Sequence, residues 1–376
     1  MANLFDYLTW RGDLTLAQSP FGDVDALILS TLSYFFFDDI VPESMTETIS
    51  VKEACEAFLS RPRENWKIRD AEDERLLREL PQSPRFAGMR LCGYVNKLDF
   101  AAQKQFSALT VLLGDETVFV AYRGTDHSLV GWKEDFNMSF MDAVPAQLEA
   151  ESYLRQAAAR FSLRLRLGGH SKGGNLAVYA AAMCPKEIQA RILSVYNHDG
   201  PGFREEMLRR EGYRAILPRV HTFLPQSSVI GMLLEHEEAY TVVQSGESGF
   251  MQHDPYSWEV LGPDFVRLES LTEQSRFLDK TVKLWLDGLN EEQRECFVDT
   301  VYAVVTMAPV DAFGEAAVSP KVVLDALTAM KEEDEETRKF MLDSVKLLLQ
   351  AAKTTLAEYA SLPRMGKWER GNQNEK

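Results

Sequence analysis

The chain has 376 residues, 45% hydrophobic and 26% charged, with a formal net charge of −16. This describes a folded protein of one elaborated domain or two and excludes a disordered one. The negative field argues against nucleic acid as a partner, and the scattered Cys55, Cys92, Cys184 and Cys296 form neither a CxxC pair nor a metal cluster.

Residues 23–37, carrying Val24, Leu27, Leu29, Leu32 and the aromatic run Tyr34 to Phe37, read as a covering helix with a wide apolar face. Shorter helices follow over 51–60 and 70–80, ahead of the proline-punctuated stretch Pro81 to Pro84. From about Arg90 the period shortens, and Phe106 to Leu113 and Thr117 to Tyr122 read as a hairpin turning at Gly114 and Asp115. Helices over 146–160 and 175–183 alternate with strands over 163–167 and 191–196, which implies βαβ units and a mostly parallel sheet flanked by helices.

Beyond Pro263 the strand signals vanish, and 266–284, 290–307, 319–331 and 335–360 read as amphipathic helices. The expected organisation is an α/β domain over 1–262, a helical C-terminal region over 263–362 that serves as a lid or a dimer interface, and a polar tail over 363–376. The acidic run Glu332 to Glu336 reads as a solvated helix start, where negative charge complements the helix dipole. The stretch Ala26 to Phe37 is too short and too polar to span a bilayer. Together with the thiols and a start that lacks a basic region before an apolar run, this leads us to expect a cytoplasmic protein without a transmembrane segment.

The chemistry concentrates at Gly169-His170-Ser171-Lys172-Gly173, a G-x-S-x-G in which a strand runs into a helix. This is the nucleophile-elbow pattern: a sharp turn lifts the Ser171 hydroxyl above the sheet, and the Lys172 amide at the helix start can stabilise an oxyanion. The Lys172 side chain is expected to point to solvent or a lid. Upstream, Tyr122-Arg123-Gly124-Thr125 ends a strand, with Trp132 and Asp135 shortly after.

These two motifs resemble the class 3 (fungal-type) lipases. The wider run, from Phe5-Asp6-Tyr7 through Gln105-Phe106-Ser107-Ala108 and Pro225-Gln226-Ser227-Ser228 to His253-Asp254-Pro255-Tyr256-Ser257-Trp258, more closely resembles a bacterial family called Mbeg1-like. The resemblance spans roughly residues 1 to 260. It implies an α/β-hydrolase fold and a serine nucleophile, with Thr125 supplying an oxyanion-hole hydroxyl and amide and the Lys172 amide the second donor. Arg123 and Asp135 would stand behind the site as a structural ion pair, and His170 would point into the protein.

A serine hydroxyl needs a base, and the base an orienting acid. The chain order serine, acid, histidine leaves His198, His221, His236 and His253 as bases, and the resemblance favours His253. For the acid, the lipase aspartate is expected after the next strand, where this chain reads Thr222-Phe223-Leu224-Pro225-Gln226-Ser227-Ser228 with no carboxylate. Asp199 is the leading substitute, with Asp254 and Glu235 as alternatives. The reading is a serine hydrolase of a small-molecule or lipid ester or thioester, without cofactor or metal. The absent lipase aspartate motivates a second reading, an inactive hydrolase-fold binding or scaffold protein.

Overall fold

The computed structural model describes residues 1–99, 101–125 and 129–296, with further helical positions at 339, 343, 346, 347, 350 and 353–355. His127, the helix expected over 319–331, the acidic run Glu332 to Glu336 and the tail from Arg364 lie outside these residues.

Strands β1 (Ile49–Ser50), β2 (Arg90–Asp99), β3 (Lys104–Leu112), β4 (Thr117–Tyr122), β5 (Arg164–His170), β6 (Ile192–His198), β7 (Val220–Pro225) and β8 (Tyr240–Val243) lie side by side in chain order. After them β9 (Val260–Leu261) and β10 (Asp264–Phe265) pair with each other, and β11 (Arg267–Leu268) closes the far edge of the main sheet against β8. Strands β4 to β8 are parallel, and the flanking pairs are antiparallel. The α/β-hydrolase fold is present, its parallel portion confined to the five central strands.

Alternate residues of each central strand feed two separate cores. On one face, α1 (Leu4–Arg11), α2 (Asp23–Leu32), α3 (Val51–Leu59) and α4 (Ala71–Glu79) bury Leu27, Phe58 and Leu76 with Phe119 of β4. The other core takes Leu154 and Leu176 with Tyr122 and Val195, from α6 (Pro145–Arg160) and α7 (Lys172–Met183), which follow α5 (Leu129–Asn137). The short α8 (Lys186–Gln189), α9 (Glu205–Leu208) and α10 (Glu211–Ile216) complete that side, and α11 (Glu273–Asp287) follows the sheet.

Four expectations are corrected. The helix expected over 23–37 stops at Leu32 as α2, with Ser33 as its cap, because continuing it would turn some of Tyr34 to Phe37 toward water. In the turn that replaces it Phe35 and Phe37 are both fully buried and stack edge-on at 5.9 Å. Strand β2 bulges at Gly93 (φ 63°) between Cys92 and Val95, which breaks the alternation a sequence reading needs. The strand 163–167 runs on to His170, and the helix expected over 175–183 begins at Lys172. Strands do not end at Pro263: β11 lies past the boundary expected at 262, and its two residues are both exposed, so no pattern marks them.

Candidate active site

Ser171 joins β5 to α7 with φ 58° and ψ −135°. A non-glycine residue held there costs about 1–3 kcal/mol and persists only where its surroundings impose it. Here they do: the Ser171 amide donates to His198 O at 2.9 Å, and Ser171 O accepts from the Gly174 amide at 2.9 Å. A Cβ on Gly169 would lie 2.2 Å from Gly173 C, and one on Gly173 would lie 2.1 Å from Tyr122 O. The strand and helix can therefore cross this closely only with glycine at both positions.

The Arg123-Gly124-Thr125 loop meets this turn. A Cβ on Gly124 would sit 2.2 Å from the Tyr34 hydroxyl and 3.0 Å from Ser171 Cβ, so the loop backbone lies against the nucleophile. Thr125 Oγ1 donates to Asp135 Oδ2 at 2.5 Å. Its single proton is used there, which corrects the expectation of a hydroxyl aimed at the oxyanion and leaves the amide as the donor Thr125 can offer. Arg123 is buried beneath, donates to Asn96 Oδ1 at 2.7 Å and lies 4.7 Å from the Phe36 ring centre. Asp135 Oδ1 is 3.9 Å from Lys172 Nζ.

Lys172 is a further correction. Its side chain is 1% exposed rather than solvated, and Nζ donates to Gln105 Oε1 at 2.8 Å, Glu134 Oε2 at 2.9 Å and Gln105 O at 3.1 Å. Beside it, burial pushes the Asp135 carboxyl up to about 6 against the pull of Lys172 and of the Thr125 hydrogen bond. A third of that side chain stays open to solvent, while Oδ1 itself is buried without a hydrogen-bond partner.

Among the four candidate bases, His253 meets the expected acid. Its Nδ1 lies 2.7 Å from Asp199 Oδ2. Asp199 is fully buried, holds φ 53° immediately after β6, and accepts from Ser228 Oγ at 2.5 Å through its other oxygen. The Gly231 amide donates to the same Ser228 oxygen at 3.1 Å. With Nδ1–H directed at Asp199, the lone pair of the neutral imidazole lies on Nε2, where a base needs it. His170 holds His253 in place: its Nε2 donates to His253 O at 2.7 Å, the rings are 4.5 Å apart, and its Nδ1 accepts from the Tyr34 hydroxyl at 3.0 Å. Burial keeps His170 well below the ordinary imidazole value, so it stays neutral.

The other histidines have other duties. His198 is fully buried, bonds Gly169 O through Nδ1, and is pushed down to about 3 by burial. His221 stacks on Tyr196. His236 bridges Glu238 Oε1 and Gly231 O at 2.9 and 2.6 Å. The alternative acids also go elsewhere: the Asp254 side chain caps Tyr256 N, and Glu235 pairs with Lys283 at 3.2 Å. The sequence reading missed Tyr34, Gln105, Glu134 and the support Ser228 gives Asp199. Gln105 and Ser228 stood inside quoted motifs, but nothing in the sequence joined them to residues so distant along the chain.

Residues 80–303 match the model of a family described as Mbeg1-like. No curated protein matches the chain. Similar solved structures include a fungal lipase at 13% identity and TM-score 0.34, covering 64% of this chain and 84% of that one. A lipase from Yarrowia lipolytica matches at 11% identity and TM-score 0.32 over 51% and 84%. Lipase II from Rhizopus niveus matches at 12% identity and TM-score 0.35 over 52% and 76%.

Proposed function

The chain belongs to the Mbeg1-like family, and from that premise we propose that it is a serine hydrolase cleaving a carboxylic ester or thioester through an acyl-enzyme on Ser171. The observation that carries this reading is the conjunction of a strained elbow serine with His253 held at 2.7 Å by the buried Asp199 carboxylate. Only a turn imposed by its surroundings keeps such a backbone, and a buried carboxylate on Nδ1 is what a histidine base needs.

In this reading Ser171 Oγ gives its proton to His253 Nε2 as it bonds to the substrate carbonyl carbon. The carbonyl oxygen gathers the negative charge and takes hydrogen bonds from the Lys172 and Thr125 amides. The imidazolium, stabilised by Asp199, returns the proton to the leaving alcohol or thiol as that bond breaks. Water, deprotonated by the same imidazole, then releases the acid and restores Ser171.

The Asp199–His253 contact favours this reading over the inactive binding protein, whose motivation was a missing carboxylate. Among the described residues no helix is long and apolar enough to cross a membrane. The buried thiols of Cys55, Cys92 and Cys184 are consistent with the cytoplasmic site we propose. Intact-mass spectrometry after incubation with a fluorophosphonate tests the proposal. A single adduct that needs Ser171 and His253 is expected; no adduct on the folded wild type would return the weight to a binding role.

A further inference from the structure

Lys172 follows the nucleophile, yet its ammonium is buried against protein acceptors. Its three N–H donors meet three acceptors, Gln105 O, Gln105 Oε1 and Glu134 Oε2, all within 3.1 Å and out of water. An ammonium is the only protonation state that fills all three. The charge therefore neither recruits an anionic substrate nor polarises Ser171. The partners lead elsewhere. Gln105 Nε2 donates to Gly124 O at 3.4 Å, so the same side chain that receives the ammonium also holds the carbonyl of the oxyanion loop. Glu134 accepts from the Gln105 amide at 3.1 Å and from the Ala146 amide at 2.8 Å, tying α5 to the starts of β3 and α6. Asp135, next on α5, sits 3.9 Å from Nζ and receives the Thr125 hydroxyl.

We propose that Lys172 is a positioning residue: its buried ammonium is the fixed point from which Gly124 and Thr125 are hung, so that the second oxyanion donor stays in register with the first. One residue then serves both halves of the oxyanion hole, its backbone amide directly and its side chain through Gln105 and through Glu134 and Asp135. The arrangement suits this elbow. Gly124 would touch Ser171 with a single added carbon, so a small shift of the loop changes the reacting geometry. The titratable groups that act on Asp135 include Lys172 from α7, Glu134 from its own helix and His253 from the turn that follows β8, with the Tyr34 phenol nearby. Lys172 is the largest of the influences that hold Asp135 toward its ionised form, ahead of the Thr125 hydrogen bond and His253, and that form accepts the Thr125 hydrogen bond.

The inference rests on the hydrolase reading, and the experiment separates the two. The full chain, K172M and Q105L are labelled with a fluorophosphonate and assayed with p-nitrophenyl acetate, with thermal unfolding recorded for each. K172M removes the fixed point and leaves Glu134 buried without its cation, so it can also unfold. Q105L cuts the link to Gly124 together with one of the ammonium's three acceptors, but keeps the Gln105 O and Glu134 contacts, so it decides the matter if K172M does not fold. Removing one whole oxyanion donor costs about 10²–10³ in rate. A displaced donor should cost no more than the lower end of that range: roughly tenfold in labelling for Q105L and on the order of a hundredfold for K172M, with kcat falling and KM unchanged. In K172M the acid limb of the labelling rate should also move to higher pH, because Asp135 has lost the charge that favours its ionisation. Wild-type rates in folded Q105L or K172M would overturn the positioning role alone. A wild type that takes no label would overturn the hydrolase reading and this inference with it.

Discussion

Asp199→Asn is the sharpest perturbation of the proposed chemistry. The carboxylate is fully buried and fills two hydrogen bonds, Oδ2 to His253 Nδ1 at 2.7 Å and Oδ1 to Ser228 Oγ at 2.5 Å. Asparagine has the same shape but one end is a donor. Turned toward Ser228, the amide NH₂ faces a hydroxyl that must stop donating and also keeps the Gly231 amide at 3.1 Å. Turned toward His253, it faces Nδ1 and drives the ring proton to Nε2, where the base can no longer accept from Ser171. Either orientation removes the carboxylate that would stabilise an imidazolium. Inverting the tautomer in a serine-hydrolase triad lowers kcat about 10⁴-fold, roughly 5 kcal/mol of transition-state stabilisation. The assay is the fluorophosphonate labelling rate of D199N against wild type, with thermal unfolding to show that the variant is folded. A folded D199N that labels within tenfold of wild type would refute the assignment and move the acid to another carboxylate.

Gly124→Ala should lose labelling and stability together, because its methyl would lie 2.2 Å from the Tyr34 hydroxyl and 2.5 Å from His170 O. Overpacking of this kind costs about 1–3 kcal/mol by urea unfolding, and an unchanged midpoint would contradict the close approach. Arg85→Met should destabilise by about 3–5 kcal/mol, because Asp25 would be left buried without a cation, held only by the Tyr7 hydroxyl and the Gly22 amide. Denaturant unfolding checks it, and a cost below about 1 kcal/mol would place that pair among those that contribute little. Burial raises the Glu238 carboxyl, but hydrogen bonds from His236 and Tyr213 and the His236 charge outweigh it and hold the group down at about 2. A depressed carboxyl stabilises the fold above its unfolded value, and that stability, about 3 kcal/mol for a shift of this size, is lost as pH falls from about 4.5 toward 2. Glu238→Gln should flatten the stability curve in that window; an acid limb as steep as wild type would refute the assignment.

What the sequence displayed and what it hid divide along local and long-range lines. The hairpin β3–β4, the strand into Ser171 and the buried helix after it were legible because alternation, glycine spacing and small residues act over a few positions. Ser171 followed from that local pattern, and His253 from the resemblance. Lys172 was misread because its next-door neighbours say nothing of Glu134, 38 positions earlier in the chain. A lysine reads as solvated unless its acceptors are known, and here they come from β3 and α5. Thr125 was misread for the same reason: Asp135 was seen, but not that it accepts the hydroxyl's hydrogen bond. Strand β11 was invisible because two exposed residues carry no period, and only Val242 and Val243 across the ladder make them a strand.

The location of the acid follows from strand geometry. β6 and β7 are parallel neighbours, His198 is in register with Phe223, and the Asp199 amide donates to Phe223 O at 2.9 Å. Parallel neighbours leave a sheet about 4.8 Å apart, so an acid just past β6 and one carried by the loop after β7 can serve the same space. The loop after β7 still reaches it, since Ser228 Oγ touches Asp199 Oδ1. A carboxyl on residue 228 would extend about 1.2 Å past that hydroxyl position, one C–O length, into the volume the Asp199 carboxylate occupies. The two positions should then be interchangeable but not additive. Ser228→Asp alone would set two carboxylates against each other and should reduce labelling. Asp199→Gly keeps the positive φ without strain and should lose about 10⁴ in rate. Combining Asp199→Gly with Ser228→Asp should recover at least tenfold of that loss, because the carboxylate returns to His253 from the neighbouring strand. A double variant no faster than Asp199→Gly alone would mean that the space is not shared.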